Sequence, residues 1–349
     1  MSDTSVVVES ELRPARSPLM RVLLSRDAIF IGVLLVFLVV ASLVLPRFAS
    51  PVTVGYLLLG AVPVLLLALP MTLIIVTGEI DLSVASLVGM TAGLIGTMTL
   101  GGAPFPVAVL VGLAAAVLGG VLNGVLIAFL GLPSLAVTIG TLALYRGLAL
   151  VFIGDNSVSS SNFPAEATGF INAKLGATGI PLVIIPVVFV VIAFAVVLHF
   201  TPFGRGIFAL GYSKEAARFV GIRIAATKFG LYVTSGLVAG LVGVYWVLYY
   251  SARSDSATGL ELTVIAAVLL GGISIFGGKG TIPGAIAGVL LIASVNYALR
   301  LQRVPDVVLI IITGSLLILS VVAPSVFAAI RQRLHVRRMQ RSLPGTGPV

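Results

Sequence analysis

The 349-residue chain is 59% hydrophobic and only 9% charged, with a mean hydropathy of +1.20. A soluble domain carries about a quarter charged residues, so this composition excludes a water-covered globule. Recurring apolar runs of roughly 18–25 residues point to an all-α polytopic membrane protein, since a barrel would show alternating segments of about 10. The net charge of +9 sits at the ends of those runs, where it meets lipid headgroups rather than nucleic acid. Cysteine is absent, which excludes disulfides and thiolate metal sites, and His199 and His335 alone are too few for a histidine cage.

Residues 1–27 are polar, carry Arg13, Arg16, Arg21 and Arg26, and read as a cytoplasmic tail. The run 28–45 is not followed by Ala-x-Ala, so it reads as a retained first span. Nine further spans are predicted at 54–76, 83–100, 106–130, 134–153, 180–199, 229–250, 262–276, 282–299 and 307–325. Pro63 and Pro70 fall inside the second, which predicts a kinked or broken helix, because each removes a backbone donor. Phe-Gly-Gly-Lys-Gly-Thr before residue 282 suits two half-length or tightly packed helices. The basic stretch 326–349 reads as a second cytoplasmic tail.

With the N-terminus inside, fifteen of the 21 lysines and arginines fall on cytoplasmic segments. Five fall outside (Arg47, Lys174, Arg253, Arg300 and Arg303), and Arg146 lies within a span. That bias predicts both termini, and the loop 201–228, in the cytoplasm. The longest external loop, 154–179, is rich in turn formers and reads either as a plain solvated loop or as a docking surface.

Several polar residues stand out against so apolar a background. Glu79, Asp81 and Ser83 sit at a span end, where the acids are either solvated and capping the next helix or buried beside a substrate route. Arg146, about 12 residues into its span, either forms a structural pair with one of the few acids or serves the path. Asn123 and Asn296 either bond between helices or line a polar cavity. The external segment containing Arg253, Asp255 and Glu261 is a solvated loop or faces an extracytoplasmic partner. The stretch from Gly271 to Gly284 fails both nucleotide-binding patterns, because Ile273 and Gly280 break one and Pro283 the other, so close helix packing is expected there.

The segment Ser213-Lys214-Glu215-Ala216-Ala217-Arg218-Phe-Val-Gly221-Ile222 concentrates charge between two apolar runs. Strong helix formers, a serine cap and a glycine stop predict a helix of about two turns. Too short to span and marginal alone in water, it must lie along the membrane face or fit a partner's groove.

Glu215-Ala216-Ala217, three residues, then Gly221 resembles the coupling loop of ABC importer permeases. Glu79-Ile-Asp81-Leu-Ser83-Val-Ala85-Ser86 resembles the Gly-Ile-Asp-Leu-Ser-Val-Gly-Ser of the ribose-transporter-type sugar branch, and Thr138-Ile-Gly140-Thr141…Tyr145-Arg146-Gly147 its fifth-span signature. Gly204-Arg205…Gly211 and Gly271-Gly272 through Gly284 are also similar, in the same order, so the resemblance covers 28–325. The segment 251–255 looks most like rhamnose-type and autoinducer-2-type permeases. Glu79 and Ala85 depart from the pattern, and the Ile-x-Leu-Pro ending of some coupling loops is missing.

The resemblance implies a bacterial inner-membrane subunit with no cofactor of its own. ATP would be bound by cytoplasmic ATPase subunits gripping residues 213–222. A second permease subunit and an extracytoplasmic sugar-binding protein would complete the assembly. Glu79, Asp81, Ser83, Asn123, Thr138, Thr141, Arg146 and Asn296 would be path candidates, with Arg253, Asp255 and Glu261 for docking. The rival expectation is a proton- or sodium-driven carrier using Glu79, Asp81 and Arg146 as its relay.

Overall fold

The computed structural model describes residues 26–320 and Val322. The rest of both predicted tails, and the end of the last predicted span, lie outside the described residues. The helices, in chain order, are α1 (Arg26–Val44), α2 (Pro51–Val76), α3 (Val84–Leu100), α4 (Phe105–Gly124, continued by a π-helical turn Val125–Phe129), α5 (Ser134–Ile153), α6 (Ala165–Asn172), α7 (Ile184–Phe200), α8 (Pro202–Tyr212), α9 (Lys214–Phe219), α10 (Ile224–Tyr249), α11 (Leu260–Leu270), α12 (Ile282–Leu301) and α13 (Asp306–Ser320).

Among the described residues, five helices are long and apolar enough to cross a bilayer alone: α2, α4 with its π turn, α5, α10 and α12. The pair α7–α8 is bent by 66° and makes a sixth only when counted as one span, and α1, α3, α11 and α13 are shorter apolar helices. Each of the ten predicted segments is met by one of these. Local chemistry starts several of them alike. Ser50, Thr201 and Thr281 each accept a backbone N–H in the first turn, with proline in the first two helical positions. α11 stops at Leu270, not 276, because Gly271 and Gly272 turn the chain, Gly272 at φ +91.

α2 is the buried centre of the bundle, packed by α7, α10, α11 and α12. It runs unbroken through Pro63 and Pro70, so of the kink or break expected there the break does not occur. Pro63 frees the carbonyl of Leu59, and the Tyr245 hydroxyl of α10 donates to it at 2.7 Å. A neighbouring helix thus repairs what the proline removes. The glycine joint resolves as tight packing. A Cβ at Gly288 of α12 would sit 2.1 Å from the Ala267 carbonyl of α11, a distance only glycine permits.

The loop 154–179 is folded rather than plainly solvated. Its strand β1 (Val158–Ser159) pairs antiparallel with β2 (Ser251–Ala252), and Val158, Phe163 and Ile171 are buried. Contacts between connectors fall into two groups, one at each end of the bundle. Ile80 meets Ser134, Val76 meets Gly278, and Glu79 meets Lys214 at one end; β1–β2 and the bonds from Arg146 lie at the other.

Tyr245→Phe strands the Leu59 carbonyl in a dry interior, an omission worth about 1–3 kcal/mol. Purified protein carrying it should melt several degrees below wild type, whereas Tyr212→Phe, at a residue 67% exposed, should not shift.

Candidate functional site

The connector between α2 and α3, residues 77–83, carries the densest polar cluster, and it is buried. Glu79 is 7% exposed and Asp81 1%, so the solvated reading of these acids is overturned. The Glu79 carboxylate forms ion pairs with Lys228, on the first turns of α10, and with Lys214 of α9 at 3.3 Å. Lys228 is itself enclosed, with a side chain 12% exposed, whereas that of Lys214 is 59% exposed. The Lys228 pair is therefore the strong one and the Lys214 contact weak. Burial pushes the Glu79 carboxyl up, but the hydrogen bonds from Lys228 and Ser134 and the two lysine charges outweigh it and hold the group below its ordinary range.

Asp81 belongs to a separate chain of hydrogen bonds. Its Oδ1 accepts from the Ser83 backbone at 3.0 Å and the Ser83 hydroxyl at 2.7 Å, and its Oδ2 from the Ser235 hydroxyl at 2.8 Å. Asn123 Nδ2 donates to Ser83 Oγ at 2.8 Å, and the Tyr145 hydroxyl lies 3.3 Å from Asn123 Oδ1 and 2.8 Å from the Gly119 carbonyl. Ser83 thus spends its side chain on Asp81 and caps no helix. The network ties α3, α4, α5 and α10 together, and Asn123 bonds between helices.

α9 has the form its sequence predicts. Ser213 Oγ accepts from the Ala216 N–H at 3.1 Å, and Gly221, at φ +80, closes the helix. Gly221 donates to the Arg218 carbonyl and Ile222 to that of Ala217, the paired bonds of a Schellman stop. Ala217 is fully buried, while Glu215, Ala216 and Arg218 face outward. Beyond them stand Phe219, 91% exposed, and Val220, 73% exposed. This apolar tip was not singled out in the sequence, although an aromatic beside a glycine stop in a charged segment could have marked it.

At the opposite end, Arg146 forms no salt bridge with an acid among the described residues. Its Nη1 donates to the carbonyls of Ser254 at 2.9 Å and Ser256 at 2.8 Å, pinning the segment after β2 to α5. Arg253 and Asp255 form an exposed bidentate pair at 2.8 and 3.0 Å, which holds the Asp255 carboxyl below its usual range. Glu261 opens α11 beside them. Among the described residues Arg146 makes no hydrogen bond to Glu79 or Asp81. Thr138 and Thr141 are buried and bond to carbonyls of their own helix. Asn296 lines a cavity between α2, α10, α11 and α12.

The family described as "Branched-chain amino acid transport system / permease component" matches residues 53–321. The chain belongs to this permease family. It is 35% identical over 266 residues to the "Autoinducer 2 import system permease protein LsrD" of Photorhabdus luminescens, covering 75% of this chain and 79% of that protein. The proteins of that name from Yersinia pseudotuberculosis (serotype O:3, strain YPIII) and Yersinia enterocolitica are 36% and 35% identical over the same length, with 79% and 80% of their own chains covered. No solved structure matches.

In this multi-pass permease the polar clusters start from the two ends of the bundle, and the one around Asp81 reaches into its interior through Ser235. α8 escaped the sequence reading, although Thr201-Pro202 is the same cap-and-proline start seen at α2. Lys228, Ser235 and Tyr145 were also missed, because their partners are far away in the chain. For the Asp81 network, Asp81→Ala should destabilise the purified permease by about 2–3 kcal/mol, since it orphans two buried hydroxyls. Asp81→Asn, which keeps an acceptor for Ser83, should retain most of the stability; equal losses in thermal unfolding would mean that the network is not holding these helices.

Proposed function

We propose that this permease is the membrane-spanning subunit of a bacterial ABC importer. Its cargo is a monosaccharide-like compound of the ribose, rhamnose or autoinducer-2 kind, and separate cytoplasmic ATPase subunits supply the drive. The observation that carries the reading is α9, a capped two-turn helix that exposes Phe219 and Val220 to solvent while Lys214 touches the buried Glu79. Exposed apolar tips beside charge are what a protein groove recognises. The names of the relatives support the cargo class.

In this reading the 201–228 side is cytoplasmic, as are both termini, and the protein sits in the inner membrane. A second permease subunit, identical or a sister chain, completes the pathway, and an extracytoplasmic sugar-binding protein docks near Arg253, Asp255 and Glu261. Closure of the ATPases on ATP displaces α9. Lys214 sits on α9 and Lys228 on α10, and both are held by the carboxylate of the α2–α3 connector, so the displacement reaches three transmembrane helices together. The pathway then exchanges between its two accessible sides, with ATP shifting the balance by its differential affinity for the two states. A proton- or sodium-driven carrier loses support because Arg146 bonds to the carbonyls of Ser254 and Ser256 and, among the described residues, to neither Glu79 nor Asp81.

In the reconstituted complex, Phe219→Ala should weaken association with the ATPase about tenfold or more. Glu79→Gln should leave association intact and lower cargo-stimulated ATP hydrolysis. Uptake driven by a proton gradient with the ATPase absent would refute the reading, and unaltered stimulation in both variants would reduce α9 to a loop.

A further inference from the structure

The cavity at the outer half of the bundle has a volume of about 540 Å³. That lies within the range of roughly 300–1,000 Å³ usual for small-molecule sites. Its walls are chemically selective. Trp246, the chain's single tryptophan, stands there with Tyr56, Tyr249, Tyr250 and Tyr297, half of the eight tyrosines, while none of the 17 phenylalanines does. Every aromatic in the lining therefore carries a hydrogen-bonding tip on an apolar face. The wall is also braced: the Trp246 and Tyr250 rings lie 4.6 Å apart, and Tyr249 meets Tyr250 edge-on at 4.6 Å.

Asn296, about three-quarters of the way along α12, supplies the polar centre. Its amide has no hydrogen-bond partner among the described residues, although it sits on a membrane-crossing helix. An amide left unmatched there is expensive unless something polar meets it. The one charged residue in the lining, Arg300, is paired with Asp306 at 3.0 Å. An interfacial aromatic belt explains tyrosine and tryptophan at this depth. It explains neither their convergence on one concavity nor an amide within it.

We propose that this cavity is a cargo-binding site within the permease, and that it takes a neutral, ring-shaped polyol. The aromatic faces cover the ring's C–H surface, and Asn296 with the phenol groups meets its hydroxyls. The assignment rests on the importer reading above, for which it names the place and chemistry of binding. A site built around hydroxyl contacts discriminates strongly against analogues lacking them.

The test uses the assembled importer in proteoliposomes with D-ribose, L-rhamnose and autoinducer 2 as probes. For the probe that wild type carries under ATP, Asn296→Leu should raise KM about tenfold, the loss of one or two hydrogen bonds, with the maximal rate little changed. The unmutated permease offers a second measurement, because all tryptophan emission comes from Trp246. That emission should change saturably with the transported probe. An unchanged KM together with flat emission overturns the site, as does strong quenching of Trp246 by brominated acyl chains, which would make the cavity a lipid contact. A wild-type complex that carries none of the probes under ATP would instead bring down the sugar-importer reading itself.

Discussion

A carboxylate sealed inside a protein must be matched by positive charge or give up its own, and Glu79 is matched twice. Lys228 approaches it from α10 within the buried interior, and Lys214 from the exposed α9. Removing one partner of a buried pair leaves an uncompensated charge, at about 3–5 kcal/mol. The α2–α3 connector and the start of α10 are therefore fixed to each other. The exposed Lys214 contact is worth a fraction of that. In the importer proposed above, this inequality lets α9 pull on a rigid base through Glu79 without unfolding it.

The base is rigid because the neighbouring acid is used differently. Asp81 accepts only from hydroxyls and backbone, and through Ser83, Asn123 and Tyr145 it links four helices without any cation. Ser235 lies well into α10, about 16 Å along its axis from the first residue at 1.5 Å per residue. The connector thus reaches deep into the bundle. Two acids separated by one residue do two jobs, one tying the bundle to its exposed helix and the other holding the bundle together. At the far end, Arg146 does comparable work with carbonyls alone.

Much of this was legible in the sequence where the cause is local. Ser134–Ile153 falls on its predicted span because Leu132-Pro133 and Gly154 bound it on either side, and α9 follows from Ser213 and Gly221. The family, too, could be read from short motifs in order. What escaped has non-local causes. Lys228 and Glu79 are 149 positions apart, and nothing in either neighbourhood announces the other. Arg146 was read as pairing with an acid or serving the path, but backbone carbonyls leave no signature in a sequence. Pro63 was expected to kink or break α2, and the hydroxyl that meets the freed carbonyl comes from Tyr245, 186 residues from Leu59. The cavity around Asn296 likewise exists only once four helices assemble.

The central claim is that α9 moves together with the connector helices because Glu79 joins them. The chain contains no cysteine, so spin labels can be placed without background. Labels at Ala216→Cys on α9 and Leu132→Cys on the α4–α5 connector report the distance between the two bodies in the assembled complex. With Glu79 intact, the distance should hold on addition of ATP, and with Glu79→Gln it should lengthen or broaden. An ATP-dependent change of the same size with Glu79 present would contradict the account.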